Sequence, residues 1–189
     1  MKKSALEKLK MDIAVCYQDN GFQGKLSVVK LLLIVDFWPV FFYRMIEYCR
    51  EKPSLIRQII KSMLVIFKPI VNGMSGARIS PEATIGGGIL LHHSMGVIIA
   101  SGSIIGENCI IFSGTCIAYK ANCKGAGAPI VGDNVKLMVG SKVIGEVRVG
   151  NDSIVGANAV VVTDVPPFSI AVGVPAKISP RRDVSGAES

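Results

Sequence analysis

The sequence predicts a mainly β fold, a coil of short parallel strands wound into a triangular prism, with an α-helical segment before it. Three observations carry that prediction. Between Ile79 and Val161 an aliphatic residue recurs at every sixth position in three runs: Ile79, Ile85 and Leu91; then Ile99, Ile105, Ile111 and Ile117; then Val131, Leu137, Val143, Val149, Val155 and Val161. Glycine follows the aliphatic at 86, 106, 132, 150 and 156. Finally, helices repeat near about 3.6 residues and strands near about 2, so a strict six fits neither alone. One short strand plus one turn does fit, with a single side chain pointing inward and a glycine expected to free the corner. Three such units close one turn of coil, and each aliphatic then stacks on the one eighteen residues later.

The elements follow in order. Residues 1–72 form a helical segment, and residues 73–189 form the coil and its C-terminal tail. Leu31–Tyr43 is the most apolar stretch, but Asp36 and Pro39 interrupt it, and it is too short to span a bilayer as a helix. Pro39 predicts a helix running to about Arg50, since proline is tolerated in a first turn. A second helix is predicted after Pro53, with Leu55, Ile59, Met63, Ile66 and Ile70 on one apolar face and Arg57, Lys61 and Lys68 away from it. Residues 1–70 hold twelve Lys or Arg and six Asp or Glu, while residues 71–189 hold nine and eight, so most of the net charge of +7 belongs to the helices. Two roles are open for the segment: a cap over the coil's end that packs between subunits, and peripheral contact with a membrane through residues 1–72. The charged start leads into no signal peptide. No basic stripe interleaved with aromatics marks the coil, which argues against nucleic acid.

Cysteines stand at 16, 49, 109, 116 and 123. None forms the close pairs of a zinc site, so no metal is expected, and a reducing cytoplasm, with an inner membrane face as its variant, is the expected location. The six-residue phase breaks twice, between Leu91 and Ile99 and between Ile117 and Val131. The first break contains His92 and His93, the only histidines in the chain. In an extended strand such neighbours point to opposite faces, so one can sit at a subunit cleft. The second break contains the loop Ala118–Pro129, whose Tyr119, Lys120, Lys124 and Gly125 are candidates for contact with a sugar or a phosphate.

The segment Ile79-Ser-Pro-Glu-Ala-Thr-Ile-Gly-Gly-Gly-Ile-Leu-Leu-His-His and the closing Val165-Pro-Pro-Phe-Ser-Ile-Ala-Val-Gly-Val-Pro-Ala-Lys resemble the serine O-acetyltransferase branch of hexapeptide-repeat acyltransferases. The match spans residues 78–178. It implies a left-handed parallel β-helix, a homotrimer, acetyl-CoA as co-substrate and transfer of acetyl to a hydroxyl. By position His93 matches the general base, suited to proton transfer near neutral pH by an imidazole pKa of about 6.5. Tyr119, Val139 and Ala157 match positions whose backbone faces the CoA arm, and Lys177, Arg181 and Arg182 are candidates for its phosphates.

Three positions depart from the branch. Arg78 stands where it has the aspartate that orients the base, His92 where it has an aspartate for the amino-acid substrate, and Ala128 where it has a second histidine. These losses favour a saccharide or glycan acceptor, with His92 as a second site residue, because polysaccharide acetyltransferases share the His-His pair. L-Serine is the alternative acceptor, and a non-catalytic trimeric scaffold is a further one. A zinc carbonic anhydrase on the same coil would need three separated histidines. Candidates to orient His93 are Glu82, a backbone carbonyl and His92.

Overall fold

A computed structural model describes residues 3–21, 31, 33–51, 54–120 and 127–181. Among the described residues the coil is preceded by helices α1 (Ala5–Asp19), α2 (Phe37–Glu51) and α3 (Leu55–Ser75). Ser4 opens α1 with a capping box, its side chain accepting from the Glu7 N–H while the Glu7 carboxylate accepts from the Ser4 N–H. Pro39 lies in the first turn of α2, as expected. Gly76 closes α3 in the left-handed conformation at φ 68°, so the helical segment ends three residues beyond the predicted boundary.

Fifteen short strands follow among the described residues, and all but one pair run parallel. Up to β13 successive strands go to successive faces, giving three sheets: β1 (Arg78–Ile79), β4 (Ile98–Ile99), β7 (Cys116–Ala118), β10 (Lys142–Ile144) and β13 (Val160–Val161); β2 (Thr84–Ile85), β5 (Ile104–Ile105), β8 (Ile130–Val131) and β11 (Arg148–Val149); and β3 (Leu90–His92), β6 (Ile110–Phe112), β9 (Lys136–Leu137), β12 (Ile154–Val155), β14 (Ser169–Val172) and β15 (Lys177–Pro180). Ile79 pairs with Ile99 and Ile99 with Ile117 on the first face, and Ile85 with Ile105 and Ile105 with Val131 on the second. Every aliphatic of the repeat from Ile79 to Val161 is buried, and each contributes roughly 1.5–3 kcal/mol of burial energy.

The expected eighteen-residue stacking holds only where the phase is unbroken. The first turn of coil is longer by the two residues inserted after β3 (Leu90–His92), and the third by those of the loop after β7 (Cys116–Ala118). The sheets keep their register across both insertions.

The glycines correct one expectation. Gly86 and Gly106 do not have positive φ. They are needed for close approach: a Cβ on Gly86 would lie 2.6 Å from the carbonyl carbon and oxygen of Gly106, and one on Gly106 would lie 2.6 Å from those of Gly132. Stacked turns touch here through bare backbone.

The open first turn of the coil is closed by side chains of α2 and α1. Tyr43 donates its hydroxyl to the Ala83 carbonyl at 2.7 Å, Arg50 donates to Pro81, and Arg44 donates to Ile85 at 2.9 Å and also to Gly86. Arg44 Nε meets Asp12 Oδ2 at 2.7 Å with both side chains out of water, and the second Asp12 oxygen accepts from the Ile89 N–H at 2.9 Å. Burial pushes the Asp12 carboxyl upward against the pull of Arg44, and Tyr43 is pushed up to about 12, mainly by burial. The cap expected of the helices is therefore present within one chain.

The apolar face predicted for α3 exists but points outward. Leu55 is 76%, Ile66 71% and Ile70 58% exposed, while Arg57, Leu64, Lys68 and Val71, on the other side, are half-buried. Among the described residues no helix is long and apolar enough to cross a membrane.

Removing one partner of the Arg44–Asp12 pair strands a charge in the interior. Arg44→Ala is expected to lower unfolding free energy by about 3–5 kcal/mol, measured by urea denaturation.

Candidate functional site

The two-residue insertion after β3 builds the site. The positive-φ residues of the coil stack in columns along its corners, for example Gly96, Gly114, Gly140 and Asn158. His93, at φ 51°, stands outside these columns, because the insertion breaks register there. Its side chain is exposed while His92, one residue earlier, is half-buried, and their ring centroids are 6.4 Å apart. His92 is still in β3, paired with Phe112 of β6 (Ile110–Phe112), and the two rings stack at 4.9 Å and 15°.

The N-terminal segment supplies the other wall. Asp19 Oδ1, at the end of α1, lies 3.2 Å from His92 Nε2. Asp36 Oδ1 accepts from the Ser94 N–H at 2.7 Å, and the Ser94 hydroxyl donates to the Ser75 carbonyl at 3.1 Å. Ser94 is wholly buried, so the peptide following His93 is held from both sides. A cavity of about 100 Å³ lies between these elements, lined by Asp19, Asn20, Asp36, Leu91, His92 and His93 among others. Asp12 also lines it but is paired with Arg44; Asp19, Asp36 and the carbonyl end of a helix give the cavity negative potential. The same environment, after burial as the main cause, raises the Cys16 thiol above its ordinary value through Asp19 and Asp36.

The structure sorts the residues chosen from sequence. His92 and His93 share the cavity. Val139 and Ala157 are exposed and continue the corner below His93, where Gly114 donates to Met95, Gly140 to Ser113 and Asn158 to Val139 at 2.8–2.9 Å. Those three N–H groups are spent on stacking and cannot serve a developing oxyanion. Lys177 pairs with Val172 at the end of β14 (Ser169–Val172) that faces this same corner.

Tyr119 and Arg181 do not join them. Tyr119 follows β7 and lies on the next corner of the prism. Arg181 sits at the third corner, where it donates to the Asp152 carbonyl at 3.1 Å, so its fork is committed within the fold. Glu82 accepts from the Ser101 hydroxyl and is not a partner of His93. Among the described residues no hydrogen bond to His93 occurs, so none of the three candidate orienters is seen in that role. Lys124, Gly125 and Arg182 lie outside the described residues.

Sequence reasoning missed Asp19 and Asp36. Neither lies in a recognisable motif, and they meet the histidines only because α1 and α2 fold onto the coil. Cys109 is buried in the coil core, its thiol pushed up to about 11 by burial, and Cys116 is free. Among the described residues no group of three His, Cys, Asp or Glu could hold a metal.

Residues 128–163 match the family described as Bacterial transferase hexapeptide (six repeats). The chain is also similar to proteins named serine acetyltransferase. The chain is 38% identical over 105 residues to that of Mycobacterium tuberculosis, covering 56% of this chain and 46% of the relative. It is 40% identical over 104 residues to that of Helicobacter pylori, covering 55% and 61%. A solved serine acetyltransferase in complex with cysteine superposes with a TM-score of 0.77 at 28% identity, covering 93% of this chain and 70% of that one. The chain thus spans about half the length of the first curated relative.

Asp36→Ala would leave the buried Ser94 N–H without its acceptor. The expected cost is about 1–3 kcal/mol of stability, read from the midpoint of thermal unfolding.

Proposed function

We propose that the chain is an acyltransferase that moves acetyl from acetyl-CoA to the hydroxyl of a small amine-bearing acceptor, with L-serine the first candidate. The observation that carries this reading is the small cavity in which the His92–Asp19 pair and Asp36 stand beside His93. A free ammonium needs carboxylates, and beyond Asp12, which is paired with Arg44, the cavity has Asp19 and Asp36. The relatives named serine acetyltransferase agree with it.

The sequence alone favoured a saccharide, because Arg78, His92 and Ala128 remove the charged groups expected for an amino acid. Asp19 and Asp36 return negative charge to the same place from different elements. A cavity of about 100 Å³ also suits a few heavy atoms better than a glycan.

Acetyl-CoA would supply an acetyl thioester whose carbonyl carbon is the electrophile. The exposed corner bearing Val139, Ala157 and Lys177 is where this chain offers room for its arm. His93 takes the proton of the acceptor hydroxyl as that oxygen bonds to the carbonyl carbon, and returns a proton to the departing sulfur. His92, fixed between Phe112 and Asp19, holds the acceptor side of the cavity. His93 faces outward from its own chain, which fits a homotrimer whose neighbouring coil closes the cleft.

The test is release of free CoA from acetyl-CoA with L-serine in one reaction and nucleotide sugars or glycan fragments in another. Turnover with serine and none with sugars is the expected result, and the reverse would restore the saccharide reading. His93→Ala is expected to lower kcat by about 10²–10⁴-fold; full activity in that variant would remove it as the base.

A further inference from the structure

The peptide that carries His93 falls in a gap of the ladder that fixes the rest of the coil. The ladder runs as far as His92, paired with Phe112. It resumes at Met95, whose carbonyl accepts from the Gly114 N–H at 2.9 Å. His93 and Ser94 lie between, and His93 is held at φ 51°. A residue with a Cβ keeps that left-handed conformation only where its surroundings impose it.

What imposes it here is Ser94, all of whose polar groups are engaged. Its N–H donates to Asp36 Oδ1 at 2.7 Å, and its hydroxyl donates to the Ser75 carbonyl at 3.1 Å. Its own carbonyl accepts from the Val97 N–H at 3.0 Å. Ser94 is wholly buried, so water does not replace a lost partner. The contact with Asp36 is the strongest of the three, because its acceptor is a carboxylate. Asp36 stands immediately before the first residue of α2, where the positive end of the helix dipole favours its charge. Tyr43 and Arg44 anchor the same helix to the first turn of coil. A fixed helix therefore reaches the one peptide of this corner that stacking does not hold.

We propose that Asp36 is a positioning residue for His93. Its Oδ1 fixes the peptide between residues 93 and 94, and through that peptide the direction in which the imidazole leaves the coil. Orientation of this kind acts on the Cα–Cβ bond rather than on a ring nitrogen. The inference rests on the proposed role of His93 as base, and it gives Asp36 a task separate from its charge. Among the described residues only Oδ1 is engaged, which leaves Oδ2 for the ammonium of the acceptor.

Substitution separates the two tasks. Asp36→Asn keeps an oxygen for the Ser94 N–H and loses the charge, Asp36→Glu keeps the charge but displaces it by one methylene, and Asp36→Ala loses both. The full chain is measured by steady-state CoA release with acetyl-CoA and L-serine, and by ¹⁵N order parameters of the His93 and Ser94 amides without substrate. The parent and Asp36→Asn are expected to show order parameters of about 0.85, and Asp36→Ala values below about 0.6. Asp36→Asn is expected to hold kcat within about fivefold of the parent while KM for serine rises. Asp36→Ala is expected to lower kcat by about 10²-fold, the cost of a misplacement of about 1 Å at a reacting group, and Asp36→Glu by more than about tenfold. Equal order parameters in the parent and Asp36→Ala would overturn the proposal. So would a kcat for Asp36→Asn no higher than that for Asp36→Glu, since charge would then be the property that matters. Asn and Glu both retain an acceptor, so their comparison stands even if Asp36→Ala is too unstable to assay. The order parameters need no acceptor, so the clamp and the serine reading can fail separately.

Discussion

The buried contact between Arg44 and Asp12 is the constraint on which the rest depends. A coil of stacked strands has two open ends, and an open end presents unpaired backbone groups to solvent or to another chain. Here α2 answers three carbonyls of the first turn, those of Pro81, Ala83 and Ile85, with Arg50, Tyr43 and Arg44. Asp12 then neutralises Arg44 and takes the Ile89 N–H from the same turn of coil. A pair with both side chains out of water is a poor source of net stability, because desolvation offsets its attraction. Its value is positional. The two charges must meet, and they can meet only if α1, α2 and the first turn of coil adopt one arrangement.

That arrangement delivers the site. Once Asp12 is fixed, the end of α1 brings Asp19 to His92, and the start of α2 brings Asp36 to the Ser94 N–H. The coil on its own would carry two histidines at an irregular corner with no acidic wall. The helices make the cavity, and the coil's register break makes room for it. Electrostatics and packing are thus linked through one buried guanidinium.

The coil was legible in the sequence because its cause is local and periodic. Each aliphatic from Ile79 to Val161 fills an equivalent interior position, so the period survives as a pattern of letters. The register break at His92-His93 was legible for the same reason, as a departure from that pattern. The acidic wall was not. Asp19 sits among polar residues in a helix, Asp36 interrupts an apolar stretch, and nothing in either neighbourhood signals a partner more than fifty residues away. Chemistry inferred from Arg78 and His92 alone therefore lacked the carboxylates that tertiary folding adds. The glycines carried a similar ambiguity: Gly86 and Gly106 read as flexible corners, but the structure uses them as thin ones. The apolar face of α3 was also legible as a face, although its direction was not, since helical periodicity does not say which side meets the core.

The central claim is that the helical cap completes the acceptor pocket with a carboxylate. It is tested most directly by steady-state kinetics of Asp19→Ala with L-serine and acetyl-CoA varied in turn. The account predicts that KM for serine rises at least tenfold while KM for acetyl-CoA stays unchanged, because the proposed function has Asp19 bind the acceptor and the corner beyond His93 take the CoA arm. An unchanged KM for serine, in a variant that folds and turns over, would contradict it.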